Sequence, residues 1–278
     1  MQETGNNNKI EKSLSIRICT GGLSFCVYTP SAAEPFEYVK YKVKPTISLA
    51  ANLKEALLNE PVLKADYQRV NVVVTSPHFA TVPVQHFAGD KAKDIYFFNF
   101  PKDRTHYVTY NVLRRAGIAI IFGLDKNIRQ LILDDFPRAR FYASASTLVE
   151  FFSDRHVATR SKRMYVYMHE REITIYAFSN SQLIYTNTFQ SQVINDDQYY
   201  ILNVWNQLGF DQLDDELLVV GDIRREGETS RCEEFAEKTK KFVKHVSTIH
   251  PEEDFQEKIT KGNPLLPYDL QTLLVCGF

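Results

Sequence analysis

Long apolar runs are missing from this sequence. The longest, GIAIIFGL, is about half of the ~18 apolar residues that a membrane-spanning helix needs, and it reads as a buried strand. The first dozen residues, MQETGNNNKIEK, are polar and hold no apolar stretch for a secretory leader, so none is expected. Cysteine is scarce, and Cys19, Cys26, Cys232 and Cys276 show no C-x-x-C spacing, which predicts reduced, buried thiols in a cytoplasm. Neither charge dominates: 33 basic against 34 acidic residues leave a formal charge of -1 and no overall field to gather nucleic acid or an anionic membrane. The seven histidines are equally unpromising as ligands. The nearest pairs, His78 with His86 and His245 with His250, lack a carboxylate or cysteine at ligand spacing, and no metal site is expected.

What is present is a globular composition. With 278 residues, 44% of them apolar and 13% aromatic, the chain is long enough for two domains with their own cores. LSIRICTGGLSFCVY alternates apolar and polar on both sides of its paired glycines, the signature of a half-buried hairpin. Pairing Ile18 with Leu23 sets Ile16 against Phe25 and Leu14 against Val27, so one register puts every apolar residue on one face. Arg17, Cys19, Ser24 and Cys26 share the other, with the two cysteines too far apart for a disulfide. FEYVKYKV reads as a third strand. Ser48 to Leu58 reads as a capped helix with Leu49, Leu53, Ala56 and Leu57 on one side, and RVNVVVTSP as a strand covered on both faces. IYFFNF, HYVTYNVL and GIAIIFGL read as strands, LDKNIRQLILDDF as an amphipathic helix, ARFYA as a short strand, and SASTLVEFF as a helix capped at Ser144 or Ser146.

After the polar, basic SDRHVATRSKR, the second half repeats the first. MYVYMHEREITIYAF pairs Met168 with Ile173, Val166 with Ile175 and Met164 with Ala177. SQLIYTNTF follows as a strand, DDQYYILNVWNQLGF as a helix ending at Gly209, DELLVVGD as a buried strand and SRCEEFAEKTKKF as a charged helix. Hairpin, strand, helix, buried strand thus occurs twice, which predicts a duplicated α/β unit. The expected domains are 1–155, with an inserted subdomain at about 95–143, and 156–278, whose C-terminal helix at about 267–276 is a candidate to pack back on the first.

Two such units in tandem resemble the actin-like ATPase superfamily of actin, the Hsp70 chaperones and sugar kinases, in which the domains have a ribonuclease H-like fold. The segment from Ile95 to Ala143 resembles the small α/β subdomain inserted in bacterial pilus-assembly and cell-division actin-like proteins. More closely, LSIRICTGGLSFCVY, SPHFATVPVQHF and NPLLPYDLQTLLVCGF look like a domain-of-unknown-function family of Bacteroidetes that is actin-like in fold.

The superfamily resemblance implies two phosphate loops, each with an Asp-x-Gly core whose glycine admits the phosphates and whose carboxylate organises magnesium. Here Arg17 and Cys19, or Cys19 and Gly21, stand at the acid and the glycine depending on register. No Asp or Glu lies between Leu14 and Pro30. The second hairpin, with Tyr167 opposite Arg17 by symmetry, has no glycine from Met164 to Asn180. Thr174 matches the hydroxyl residue closing that motif, and Gly221 the adenosine-binding turn, without its second glycine. Any ligand is therefore expected to meet Arg17, Cys19, Thr20, Gly21, Gly22, Thr174 and Gly221, with Arg17 neutralising an anion where magnesium would sit.

The resulting expectation is a non-catalytic, cytoplasmic actin-like scaffold or regulator, with no catalytic residue, no cofactor and a protein partner on the inserted subdomain. ATP with magnesium is the cofactor that intact motifs would have required. The competing reading is a divergent ATPase or kinase whose acids come from Asp134, Asp135, Asp196 or Asp222. GLSFC is not a hydrolase elbow, because Ser24 lies inside a hairpin strand rather than at a strand-to-helix turn. Basic clusters at Arg114-Arg115, Arg160 to Arg163 and Lys238 to His245 are offset by acidic neighbours, so no nucleic acid is expected.

Overall fold

The structure is a computed structural model that describes residues 12–103, 105–155, 161–191, 193–221, 230–250 and 266–276. Strand β1 (Ser13–Cys19) turns through Thr20 and Gly21 into β2 (Gly22–Tyr28), which pairs with β3 (Phe36–Tyr41). Ile18 opposes Leu23, Ile16 opposes Phe25 and Leu14 opposes Val27, the register that the apolar pattern demands. Helix α1 (Leu49–Asn59) starts at Ser48, whose side chain accepts from the Ala51 N–H at 3.1 Å, and it buries Leu53, Ala56 and Leu57. Strand β4 (Arg69–Val74) runs parallel to β1.

Next come β5 (Phe79–Pro83), α2 (Ala92–Asn99), β6 (His106–Leu113) and β7 (Ile118–Asp125). IYFFNF is not a strand: it lies within α2 and the residue that closes it. Tyr96 is fully buried there among Ala92, Val108 and Ile121, while Phe98 is 87% exposed. A short aromatic run satisfies either period, and packing against β6 and β7 selects the helical one. Helix α3 (Lys126–Asp135) is capped by Asp125, whose carboxylate accepts from the N–H groups of Asn127 and Ile128. It leads to β8 (Arg140–Ala143) and α4 (Ser144–Arg155), which takes Ser144 and Ser146 into its buried first turn.

The second hairpin is β9 (Arg163–His169) with β10 (Glu172–Ser179), followed by β11 (Gln182–Gln190), α5 (Ile194–Gln207), β12 (Glu216–Gly221), α6 (Arg231–Thr239), β13 (His245–Thr248) and α7 (Tyr268–Cys276). Gly209, just past α5, takes φ +63°, a left-handed cap that suits glycine. Met168 pairs with Ile173, Val166 with Ile175 and Met164 with Ala177.

Two five-stranded sheets have the same construction. One is ordered β3-β2-β1-β4-β8, the other β11-β10-β9-β12-β13, each a meander whose first strand pairs on its other side with a parallel strand, β4 or β12. The ladders correspond position by position: Ile18 pairs with Val74 as Met168 pairs with Gly221. A separate three-stranded sheet is ordered β5-β7-β6. By packing, one compact unit comprises the chain up to Val74 together with Leu124–Tyr142, and the other Thr75–Gly123 together with Ala143 onward.

Both hairpins are buried on both faces rather than half-buried. In the second unit the reason is visible: Phe152 of α4 stacks on Tyr165 at 4.1 Å and lies near Tyr176 and Tyr268. Helix α7 packs on α4 around the wholly buried Asp269, whose carboxylate accepts from Thr75 and Ser144 at 3.0 Å each. The hydroxyls of Thr147 and Thr272 donate to the Asp269 backbone carbonyl. In this way a polar core between two helices is satisfied from within.

Candidate functional site

The first hairpin tip is Cys19-Thr20-Gly21-Gly22. Cys19 is buried, and its thiol donates to the Gly22 carbonyl at 3.3 Å, closing the turn on itself. Thr20 and Gly21 are exposed, and a Cβ on Gly21 would meet nothing within 4 Å. A Cβ on Gly22 would touch the Cys19 sulfur at 3.3 Å. Arg17 is only 6% exposed, set between Ser24 of β2 and Val73 of β4. Cys26, on the same hairpin, is no nucleophile, since burial, aided by Glu37, pushes its thiol up to about 12. This tip offers a thiol, a hydroxyl and backbone groups. Magnesium takes oxygen ligands, usually a carboxylate among them, and does not fit that set.

The second tip is His169-Glu170-Arg171-Glu172, so Arg171 and Glu172 stand where the first hairpin has its glycines. The Glu172 carboxylate lies 3.8 Å from the His169 ring, both largely buried. Glu170 takes φ +51°, an uncommon conformation for a residue with a side chain. Its carbonyl accepts from Arg231 Nη1 at 3.1 Å, and the same guanidinium donates to the Ser191 carbonyl at 3.2 Å. Arg231 also grips Asp197 through two bonds, Nε at 2.9 Å and Nη2 at 2.6 Å, and Asp197 is 0% exposed. One side chain therefore ties the hairpin turn, the end of β11 and the first turn of α5 to the start of α6. Ser230 and Glu233 form a capping box that fixes Arg231 at that start.

Arg17, Cys19, Thr20, Gly21 and Gly22 thus share one hairpin. Thr174 and Gly221 belong to the other unit, on strands separated by β9. The Thr174 hydroxyl is engaged with that of Thr188 at 2.9 Å. Gly221 has a packing reason to be glycine: a Cβ there would come within 2.4 Å of the Met168 carbonyl and 2.5 Å of the Cys232 sulfur. Of the alternative acids, Asp134 and Asp135 end α3 beside a surface cleft of about 1010 Å³ that also holds Arg69, Arg138 and Arg140. Asp134 accepts from Gln130 at 2.7 Å. Asp196 lies in the first turn of α5. Asp222 and Arg160 lie outside the described residues.

The sequence reading missed the Arg231 clamp. Ser230 and Glu233 at capping-box spacing were legible, but Asp197 and Glu170 are too distant along the chain for any local pattern to join them to Arg231.

Duplicated sheets of this order and register, with a hairpin leading each, define the actin-like ATPase fold. A protein of Bacteroides thetaiotaomicron with an actin-like ATPase fold and unknown function is 32% identical, with 96% of each chain covered and a TM-score of 0.81. The PilM–PilN type IV pilus biogenesis complex contains a chain 9% identical, covering 95% of this chain and 97% of its own at a TM-score of 0.51, a likeness of fold alone. No curated protein matches. The model of DUF3822, a family of proteins of unknown function, matches residues 2–246, and the chain belongs to that family. Among the described residues no helix is long and apolar enough to cross a membrane.

Proposed function

We propose that this is a non-catalytic actin-like protein, a scaffold or regulator working in the cytoplasm that holds protein partners through the strand and helix unit of β5, α2, β6 and β7. One observation carries the reading: both hairpins that would hold phosphate in such a fold are closed by the protein's own groups. The Cys19 thiol is bonded to Gly22 in the first, which has no carboxylate. The Arg231 guanidinium is bonded to Glu170 in the second, which has no glycine. Phosphoryl transfer depends on magnesium and positioned donors, and without them the electrostatic stabilisation of its transition state is lost. Of the residues expected to meet a ligand, only Thr20 and Gly21 are exposed, which leaves little for a nucleotide to grip.

The partner role draws support from PilM, a protein of the same fold found in complex with PilN. Calorimetry with ATP and magnesium tests the proposal. No heat of binding is expected, and tight magnesium-dependent binding would favour a divergent ATP-binding enzyme instead.

A further inference from the structure

The free edge of a sheet is a row of unpaired backbone donors and acceptors, and proteins usually blunt it with charge, proline, shortness or a bulge. Five of the six edge strands among the described residues carry such a device. Strand β3 has Glu37 and Lys40, β5 ends in Pro83, and β8 and β13 are four residues each. The pairing of β11 shifts register opposite Ala177 and Phe178. Strand β6, HYVTYNVL, is different: it is eight residues long, with no proline and no lysine, arginine or carboxylate. One side is taken by β7, and among the described residues no strand pairs with the other.

Tyr110 and Val112 are each 41% exposed at alternate positions, and Phe87 packs edge-on against Tyr110 at 4.7 Å, holding that ring in place. One residue past the strand, Arg114 is exposed and has no acidic partner among the described residues. Its neighbour Arg115 is occupied by Asp154 at 2.9 Å and Glu150 at 3.9 Å.

We infer that β6 is the docking edge for an extended peptide segment of a partner protein, which adds as a fourth strand to the β5-β7-β6 sheet. Backbone hydrogen bonds supply affinity. Apolar residues at alternate positions sit against Tyr110 and Val112, and a carboxylate beyond them meets Arg114. The inference rests on the partner-binding part of the proposed function and gives it a chemistry.

Selection of random displayed peptides of about twelve residues on the full chain tests it. Enriched peptides are expected to alternate apolar residues toward one acidic end and to protect the amides of β6 from hydrogen exchange. N-methylation of alternate amides along one edge of the peptide should cost about three- to tenfold per amide, while methylation of the other edge is tolerated. Arg114→Glu should weaken the acidic peptides and strengthen versions with lysine in place of the acid. No enrichment, protection elsewhere, equal tolerance of both methylated edges, or dimerisation through β6 that peptide does not displace would each overturn the inference. ATP turnover by a chain that still binds these peptides at β6 would instead remove the non-catalytic reading and leave this one standing.

Discussion

Arg231 and Asp197 form an ion pair at 2.6 Å, and Asp197 is wholly buried. Arg231→Ala strands that carboxylate and should cost on the order of 3 kcal/mol in urea unfolding. The double variant Arg231→Met with Asp197→Leu removes the charge with its partner and should recover most of the loss. Failure to recover would mean that the bonds to Glu170 and Ser191 matter more than the ion pair. Glu150 makes a second prediction, in pH. Burial raises its carboxyl above the ordinary 4.5, Arg115 opposes the shift, and Asp154 adds to it. A folded-state value above the unfolded one means that the stability it contributes is full below 4.5 and is lost as pH rises through the raised value. Glu150→Gln cannot ionise, so between about pH 4 and pH 7 it should lose less stability than the wild type in parallel urea titrations. Parallel curves would contradict this.

Hairpins show best how far sequence reaches into structure. Their registers follow from alternation alone, because a slip by one residue would send Leu14, Ile16 and Ile18 to the wrong face. Their burial does not follow, since a polar residue opposite an apolar face reads as solvated, whereas Ser15, Arg17 and Ser24 lie beneath further structure. IYFFNF reads as a strand, although all but its last residue lies in α2, for the related reason that six residues of mixed aromatics carry no decisive period. The candidate site was legible as a place, a hairpin tip with glycines, but its closure by Cys19 and Arg231 depends on contacts that no spacing encodes. The glycines can be tested separately. Gly21 has open space and no left-handed φ, so Gly21→Ala should be neutral or stabilise by up to about 1 kcal/mol. Gly221→Ala pushes a methyl into the Met168 carbonyl and should destabilise by about 2–3 kcal/mol. A large loss at Gly21 would mean that its turn has a role beyond joining two strands.

Fold and activity are separate questions for this protein. Two sheets of identical order, each led by a hairpin, preserve the frame of an actin-like ATPase, and a family match over residues 2–246 together with a relative 32% identical places the chain in that frame. A frame of this kind hosts many activities, and activity must be argued from the groups at the site. Here a thiol closes one turn and a guanidinium the other. Phosphate release from ATP by the purified full chain with magnesium is the most direct measurement. The rate should be no greater than that of buffer alone, and unchanged in Thr20→Ala and Arg231→Ala proteins that remain folded. Sustained turnover above buffer that falls in either variant would contradict it.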